Sequence, residues 1–447
     1  MSATIPYVAP SESMPFVITG ASVYGEEVRE IAVVDGLIVD PAEAPADAVR
    51  VDASGCVLLP GLVDLHTHLR EPGREDAETI ETGSRAAARG GWTAVHAMAN
   101  TNPVSDTAGV VEQVWSRGRE IGLVDVFPVG AVTVGLKGEH LSEMGAMAHS
   151  KARVRAFSDD GVCVYDPVIM RRALEYVKTF DGVIIQHAQD LRLTEGSQMH
   201  EGDVSAELGL AGWPAVAEES IVVRDALLAG HVGSRVHIQH LSTAGAVDIV
   251  RWAKAKGYDV TAEATPHHLN LTHEEARSYD PRFKVNPPLR TQEDVQALRE
   301  GLADGTIDII ATDHAPHASE NKDCEWAAAS FGMTGLETAV GAVQAAMVDT
   351  GLMTWRDVAR VMSEVPARIG RVDHLHGRPI AVGEPANLVL VDPQAKHTVD
   401  PATQASRSRN TPFAGRELPG RAVGTFLRGV PTYLDPRFDQ TFEGVPA

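Results

Sequence analysis

Short apolar runs alternate with amphipathic segments along most of the chain. The apolar runs predict strands, and the segments whose apolar positions recur every three or four residues predict helices. Counted from "VLLPGLVDLH", the pattern predicts eight strands, at 57–66, 92–100, 123–132, 152–161, 182–190, 234–243, 258–268 and 307–317. Helical segments follow most of them, as in "DPVIMRRALEYVKTF" and "AGAVDIVRWAKAKG".

This alternation predicts an α/β fold, a (β/α)₈ TIM-type barrel. An open doubly wound sheet is the alternative, but no G-x-G-x-x-G follows the first strand. Both ends of the chain instead read as short strands broken by turns. We therefore predict a small composite β-domain formed by residues 1–58 and 378–447, and a metal-dependent barrel over 59–377.

Composition excludes several classes of protein. The formal net charge of −22 argues against nucleic-acid binding, which needs basic patches. No apolar stretch is long enough to cross a membrane. The three cysteines, Cys56, Cys163 and Cys324, are far apart and form no C-x-x-C pair. Such a sparse, odd set fits a reducing cytoplasm.

Metal-ligand side chains end five of the predicted strands, and the strands of such a barrel end at one rim. The side chains are His66 and His68 on the first strand, Ser158, Asp159 and Asp160 on the fourth, His187 on the fifth, His240 on the sixth and Asp313 on the eighth. A lone H-x-H pair is weak evidence, because such pairs are also ordinary surface or core residues. Five converging strand ends predict a metal site.

The residue types favour zinc in a hydrolytic site, with one position left open for water. The metal would lower the pKa of that water, and a carboxylate such as Asp313 could carry its proton to a leaving nitrogen. Alternate strand residues share a face, so Arg70 would face the same way as His66 and His68 if the strand stays extended. By the same rule only one of Asp159 and Asp160 should reach the metal.

Other polar residues near these strand ends receive different interpretations. His237 lies three residues before His240, so we expect it to face away and pack. His314 should also point away from the metal. Asp64 should orient its neighbour His66. His267 and His268 could orient a ligand or belong to a lid.

Eight motifs together resemble the dihydroorotases of the amidohydrolase superfamily, specifically the long bacterial class with a composite β-domain. They are "DLHTHLREPG", "MANTNP", "FSDDG", "QHAQD", "HIQHLST", "KVNPPLR", "ATDHAPH" and "SRNTPFAG". The resemblance covers about residues 16 to 430. It implies the zinc-dependent, reversible cyclisation of N-carbamoyl-L-aspartate to L-dihydroorotate, the third step of pyrimidine synthesis.

The resemblance also implies roles for individual residues. One or two zinc ions would be held by His66, His68, Asp160, His187, His240 and Asp313. Substrate would be bound by Arg70, Asn100, Asn286 and His317, with Arg70 and Asn100 gripping the carboxylate. Taken alone, Arg70 could equally form a surface salt bridge, and the two asparagines could cap turns.

The nearest alternatives are other cyclic amidases, the hydantoinases and allantoinases. Those relatives usually place a carboxylated lysine at the end of strand four, whereas "VRAFSDDG" contains no lysine. Asp160 is expected to take its place, since its spacing to His187 matches that of the bridging aspartate in the dihydroorotases. A non-catalytic barrel scaffold is a further alternative, which the intact ligand set opposes. We expect a homodimer, with an aspartate transcarbamoylase as a candidate partner.

Overall fold

Eight parallel strands form a closed barrel in the computed structural model, which describes residues 14–438. Seven of the eight neighbouring pairs follow chain order, and the bridge between Thr67 and His314 joins the last strand to the first. The strands are Leu62–Thr67, Trp92–Ala97, Asp125–Pro128, Ala156–Phe157, Val183–Gln186, Val236–Ile238, Val260–Ala264 and Ile309–Ile310. The predicted (β/α)₈ barrel is confirmed.

Helices connect these strands and cover the outside of the barrel. They are Ile80–Arg89, Ala108–Ile121, Met144–His149, Pro167–Val177, Asp203–Leu208, Val216–Val232, Ala244–Ala255, Gln292–Asp304, Ala339–Val343, Trp355–Ala359 and Val365–Ile369, with π-helical turns at Gln344–Val348 and Arg360–Glu364. The first begins where the Thr79 side chain accepts a hydrogen bond from the backbone N–H of Thr82. Outward-facing Leu65 packs near Ile369 of the last helix, which turns its neighbour His66 into the barrel.

Strands from both ends of the chain form the composite β-domain. A four-stranded sheet contains Leu37–Val39, Ile31–Val34, Phe16–Thr19 and Val49–Asp52. A six-stranded sheet contains Val430–Leu434, Glu417–Leu427, Leu388–Thr398, Val57–Pro60, Ser22–Val23 and Glu27–Val28. The antiparallel pairing of Leu388–Thr398 with Val57–Pro60 joins the two ends of the chain directly. The predicted composite domain is thereby confirmed.

The predicted first strand, 57–66, is in fact two strands. Its first half belongs to the β-domain and its second half to the barrel, and the break falls at Gly61. A β-carbon at Gly61 would lie 2.3 Å from Thr93 Cγ2, so only glycine fits this close crossing.

Residues 1–13 and 439–447, which the predicted domain limits include, lie outside the described residues. Within 14–438, no helix combines the length and the apolar character that a membrane span requires. All three cysteines are free thiols, two of them buried.

Candidate active site

Six titratable side chains meet at the C-terminal ends of the barrel strands. One lies in the first strand and the others just after five strand ends: His66, His68, Asp160, His187, His240 and Asp313. All six are buried. The structure thus brings together the six residues that the resemblance implies as metal ligands.

Two of these residues have unusual backbone conformations. His240 has a φ of 28° and Asp313 a φ of 46°. A left-handed conformation at a non-glycine residue costs on the order of 1–3 kcal/mol and is concentrated at functional sites. Strand six ends at Ile238, so His240 is placed by a turn rather than by the alternation of an extended strand.

Asp160 lies at the centre of the cluster. Its Oδ1 is 3.5 Å from His66 Nε2, 3.4 Å from His187 Nδ1 and 3.9 Å from His240 Nε2. Its Oδ2 is 3.3 Å from His68 Nε2. Burial alone would raise the pKa of Asp160, but the surrounding imidazoles, His66 foremost, hold it well below its usual value.

Asp313 is the second carboxylate of the cluster. Its Oδ1 is 3.3 Å from His66 Nε2 and 3.1 Å from His68 Nε2. Burial opposes ionisation of Asp313, yet its pKa lies below the usual value because His66 and then His68 favour the carboxylate. Asp313 is therefore ionised at neutral pH and able to accept a proton.

The donor set fits a metal ion. Three overlapping groups have ligand atoms within 4.8 Å of one another: His66, His68 and Asp160; His66, His240 and Asp313; and Asp160, His187 and His240. Asp160 belongs to the first and third of these groups, and its two oxygens face different histidines. His187 Nδ1 lies only 2.9 Å from His240 Nε2, and two ring nitrogens so placed need a shared proton or a nearby cation. Four imidazoles and two carboxylates without cysteine are typical of zinc in hydrolytic sites.

Glu263 in strand seven, which the sequence analysis missed, supports the cluster. Its Oε1 is 2.6 Å from His66 Nδ1 and accepts the backbone N–H of His240 at 3.2 Å. Its Oε2 is 3.0 Å from His237 Nε2. Such a carboxylate fixes the tautomer of His66 and leaves Nε2 free for a metal. A single acid inside the buried strand "VTAEA" is the signal that could have identified it.

The prediction that His237 only packs was wrong. Its Nε2 faces Glu263, and its Nδ1 is 2.9 Å from Thr261 Oγ1. An opposite-facing His237 requires one extended strand through His240, but the strand ends at Ile238 and the chain turns before His240.

A glutamine orients His187 in a similar way. Gln189 Oε1 lies 2.8 Å from His187 Nε2 and also accepts a hydrogen bond from Asn286 Nδ2 at 3.1 Å. The Nε2 proton of His187 is thereby directed to Gln189, which leaves Nδ1 as the lone-pair donor facing Asp160. No feature of the sequence had indicated this role for Gln189.

Arg70 lies in the cleft beside the cluster. Its strand ends at Thr67 and its own φ is 64°, so the extended geometry assumed from the sequence does not persist. Arg70 nevertheless lines the same cavity as the cluster, of about 240 Å³. Its Nε donates to Pro316 O at 3.0 Å, and no carboxylate within 14–438 forms an ion pair with it. Burial and the neighbouring Arg74 lower the pKa of Arg70 to about 10, so it stays cationic.

The other three predicted substrate-binding residues line this cavity too. Asn100 Oδ1 lies 3.0 Å from His68 Nδ1, which leaves the Asn100 amide nitrogen for a ligand. Asn286 Oδ1 and His317 Nδ1 are buried and have no hydrogen-bond partner in the described part of the chain. The cavity is also lined by five residues for which the sequence predicted no role, Arg74, Gly161, Ala315, Phe331 and Gly332.

Three other polar residues near the rim, Asp159, Asp64 and His314, do not join the cluster. Asp159 turns away from the cluster, and its Oδ1 accepts the backbone N–H groups of Val132 and Thr133 at 2.8 and 3.0 Å. Asp64 accepts the backbone N–H of His66 at 3.0 Å, so it holds the strand rather than the ring. His314 points away, as expected, with Nε2 3.3 Å from Glu78.

His267 and His268 lie together behind the cluster, with ring centroids 4.5 Å apart. His268 Nε2 is 3.1 Å from Pro287 O, next to Asn286. His268 therefore supports the loop that carries a predicted substrate-binding residue.

Known proteins match the chain over nearly its whole length. A family model described as "Dihydro-orotase-like" matches residues 55–246, and one described as "Amidohydrolase family" matches residues 214–431. The dihydroorotase of Streptomyces coelicolor is 66% identical over 94% of this chain and 98% of its own length. The chain belongs to the dihydroorotase family. A second dihydroorotase, from Mycobacterium tuberculosis, is 59% identical over 94% of this chain and 99% of its own.

Solved hydantoinases share the fold of this dihydroorotase-family chain. The L-hydantoinase (dihydropyrimidinase) of Arthrobacter aurescens has a TM-score of 0.84 at 24% identity and covers 95% of this chain and 97% of its own. The dihydropyrimidinase of Brevibacillus agri has a TM-score of 0.81 at 21% identity, over 94% of this chain and 95% of its own. Membership of the dihydroorotase family makes the protein a hydrolase of cyclic amides, and the wider amidohydrolase family is metal-dependent.

Proposed function

We propose that this enzyme interconverts N-carbamoyl-L-aspartate and L-dihydroorotate in the cleft beside the His/Asp cluster. The observation that carries the proposal is Arg70, a buried cation with no ion-pair partner within 14–438. A buried charge is costly unless a partner compensates it. L-dihydroorotate carries a carboxylate on its ring, and N-carbamoyl-L-aspartate carries the equivalent α-carboxylate. This group would supply the partner, whereas hydantoin and dihydrouracil have none.

We infer that zinc occupies the cluster, as one or two ions held by His66, His68, Asp160, His187, His240 and Asp313. Asp160 would bridge two ions, because its two oxygens face different histidines. When bound, zinc would polarise the amide carbonyl and lower the pKa of a water molecule. Glu263 and Gln189 would hold His66 and His187 in the tautomers that bind a metal.

Asp313 would move the proton of the reaction. Ring opening adds water across a C–N bond, so oxygen goes to the carbonyl carbon and a proton to the nitrogen. Asp313 lies at the floor of the cleft, is ionised, and would take the proton from water and deliver it to the leaving nitrogen. In ring closure the same carboxylate would take a proton from the attacking nitrogen.

The cleft residues would hold the substrate at fixed points. Arg70 would pair with the carboxylate through its two terminal nitrogens, and Asn100 would donate its amide N–H. His317 Nε2 lies 2.7 Å from Phe331 O, so its proton is directed there and Nδ1 is left as an acceptor. Burial and the nearby Arg70 lower the pKa of His317 to about 2, so it stays neutral and would accept a ring N–H. Asn286 Oδ1 is a second free acceptor.

We further propose a homodimer in the cytoplasm, an aspartate transcarbamoylase as a candidate partner, and the domain limits 1–58, 59–377 and 378–447. The free thiols support a reducing compartment. Light scattering of the purified protein, alone and mixed with the transcarbamoylase, tests the assembly. A monomer that shows no complex would remove both assembly proposals.

Removal and replacement of the metal tests the proposed site. Protein stripped with a chelator should lose turnover of L-dihydroorotate and regain it with one or two equivalents of zinc. Elemental analysis of the reloaded protein gives the number of ions. Full activity of metal-free protein would contradict the proposal.

A further inference from the structure

Residues 399–416 link the two longest strands of the composite β-domain, Leu388–Thr398 and Glu417–Leu427. They include the motif "SRNTPFAG", to which the sequence analysis assigned no role. The link reaches the barrel rim that holds the His/Asp cluster. Ser406 Oγ donates a hydrogen bond to Glu78, and Ser408 Oγ lies 2.8 Å from the backbone oxygen of His317. The β-domain therefore contacts the wall of the cleft directly.

Asn410 makes the most extensive of these contacts. Its Oδ1 accepts the backbone N–H of His317 at 3.2 Å. Its Nδ2 donates to Ala315 O at 3.0 Å and to Gly332 O at 3.2 Å. These three partners all line the cleft, while Asn410 does not and is only 3% exposed. One buried amide group thus fixes the backbone of the cleft wall at three points.

This wall depends on side chains for its position, because residues 314–333 contain little regular structure. Apart from a single turn at Ser319–Asn321, they form only isolated bridges within the described chain. The buried Lys322 ammonium supplies further support, with Nζ 2.8 Å from Ser330 O and 3.0 Å from Gly332 O. Gly332 O is therefore shared by Lys322 and Asn410.

Gly332 packs directly against the His317 ring. Gly332 has a φ of 141°, and a β-carbon there would lie 2.6 Å from His317 Nε2. A displacement of Gly332 would therefore be transmitted to the imidazole of His317. The backbone oxygen of Phe331, the residue before Gly332, accepts the His317 Nε2 proton.

We propose that Asn410 is a positioning residue for substrate, through which the composite β-domain holds His317 and the cleft wall in their binding geometry. The proposal rests on the proposed role of His317 in substrate binding. The Asn410 side chain hydrogen-bonds to wall residues and, in the described chain, to none of the six predicted metal ligands. Its loss should therefore weaken substrate binding more than it slows the chemical step. A displacement of about 1 Å at such a site can cost about a hundredfold in rate constant.

The test compares Asn410→Ala with a matched variant, Asn387→Ala. Asn387 is also buried, and its amide also bridges backbone groups, donating to Leu375 O at 2.8 Å and accepting from Arg428 N at 2.7 Å. It lies beside Gly61, at the opposite end of the barrel. Both variants lose a comparable buried amide, so a general loss of stability would affect them alike.

Asn410→Ala should raise KM for L-dihydroorotate at least about tenfold while kcat falls less and the zinc content stays that of the wild type. Asn387→Ala should leave KM within about twofold, since it touches no cleft residue. Asn410→Asp keeps the acceptor for His317 N–H but loses the two amide donors, so its KM should rise as well. A KM of Asn410→Ala within twofold of the wild type, or an equal rise in Asn387→Ala, would overturn the proposal.

Should both Asn410 variants fail to fold, Ser408→Ala removes one contact to His317 and is judged by the same KM criterion. The activity of the wild type distinguishes a failure of the positioning role from a failure of the proposed substrate. Turnover of L-dihydroorotate by the wild type with no sensitivity to Asn410 rejects only the positioning role. A wild type without this turnover rejects the proposed substrate instead.

Discussion

Replacing Glu263 with glutamine should weaken metal binding without unfolding the protein. Glu263 is buried and receives three donors, the His66 ring at 2.6 Å, the His237 ring at 3.0 Å and the His240 backbone at 3.2 Å. Glutamine keeps one oxygen, which can still serve His66 and His240. Its NH₂ group would then face His237, which can change tautomer because Thr261 Oγ1 either accepts or donates a hydrogen bond.

Glu263→Gln therefore removes the negative charge but keeps the shape of the side chain and its contacts. A hydrogen bond to a charged group contributes about 1.5–3 kcal/mol and a neutral one about 0.5–1.5 kcal/mol. The difference of about 1–1.5 kcal/mol corresponds to about a tenfold loss of zinc affinity. Glu263→Ala leaves all three donors without an acceptor. Its loss of zinc affinity should therefore be larger, about a hundredfold, which is the upper end of the range for groups that support metal ligands.

Competition with a chromophoric zinc chelator measures the affinity, and thermal unfolding of the metal-free protein measures the effect on the fold. Glu218→Gln is the matched control, because Glu218 is also buried. Glu218 Oε1 accepts the backbone N–H of Ser242 at 2.9 Å, and in the described chain Glu218 bonds to none of the six predicted ligands. Zinc affinity of Glu263→Gln within twofold of the wild type would refute the reasoning. So would an equal loss in Glu218→Gln.

Three further experiments test the proposed roles. Asp313→Asn should keep its zinc and its fold but lower kcat at least about a hundredfold, measured by steady-state kinetics; near-normal kcat would remove Asp313 from proton transfer. Arg70→Lys should raise KM strongly at constant metal content, since lysine cannot form the bidentate contact, and Arg74→Gln should raise KM less; a normal KM for Arg70→Lys would place the carboxylate elsewhere. Asp160→Ala should strip or loosen the metal and Asp159→Ala should do so less, by elemental analysis; the reverse order would exchange their roles.

Features that depend on local pattern could be predicted from the sequence. The eight strands were predicted because apolar runs and amphipathic segments alternate, and the clustered residues because each lies at or just after the end of a strand, where the barrel rim must be. The choice of Asp160 over Asp159 came from the resemblance to the dihydroorotases. The same dependence on local pattern explains why the split of the first strand at Gly61 was not predicted. Strand periodicity does not show which sheet each half joins, since that depends on residues 388–398 at the other end of the chain.

Features that depend on contacts between residues far apart in the sequence could not be predicted. Glu263 and His66 are 197 positions apart, and Asn410 lies 93 positions from His317. No local rule pairs such residues. The error at His237 has a different cause, because face alternation holds only while the backbone stays extended, and the turn with positive φ at His240 ends that regularity.

The most direct test of the account is a comparison of substrates. Purified, zinc-loaded protein is assayed with L-dihydroorotate, dihydrouracil, hydantoin and allantoin under the same conditions, and kcat/KM is measured for each. The account predicts turnover of L-dihydroorotate, with the three rings that lack a carboxylate at least about a hundredfold poorer, because Arg70 would then remain buried without a counter-ion. Comparable or higher kcat/KM for hydantoin, allantoin or dihydrouracil would contradict it.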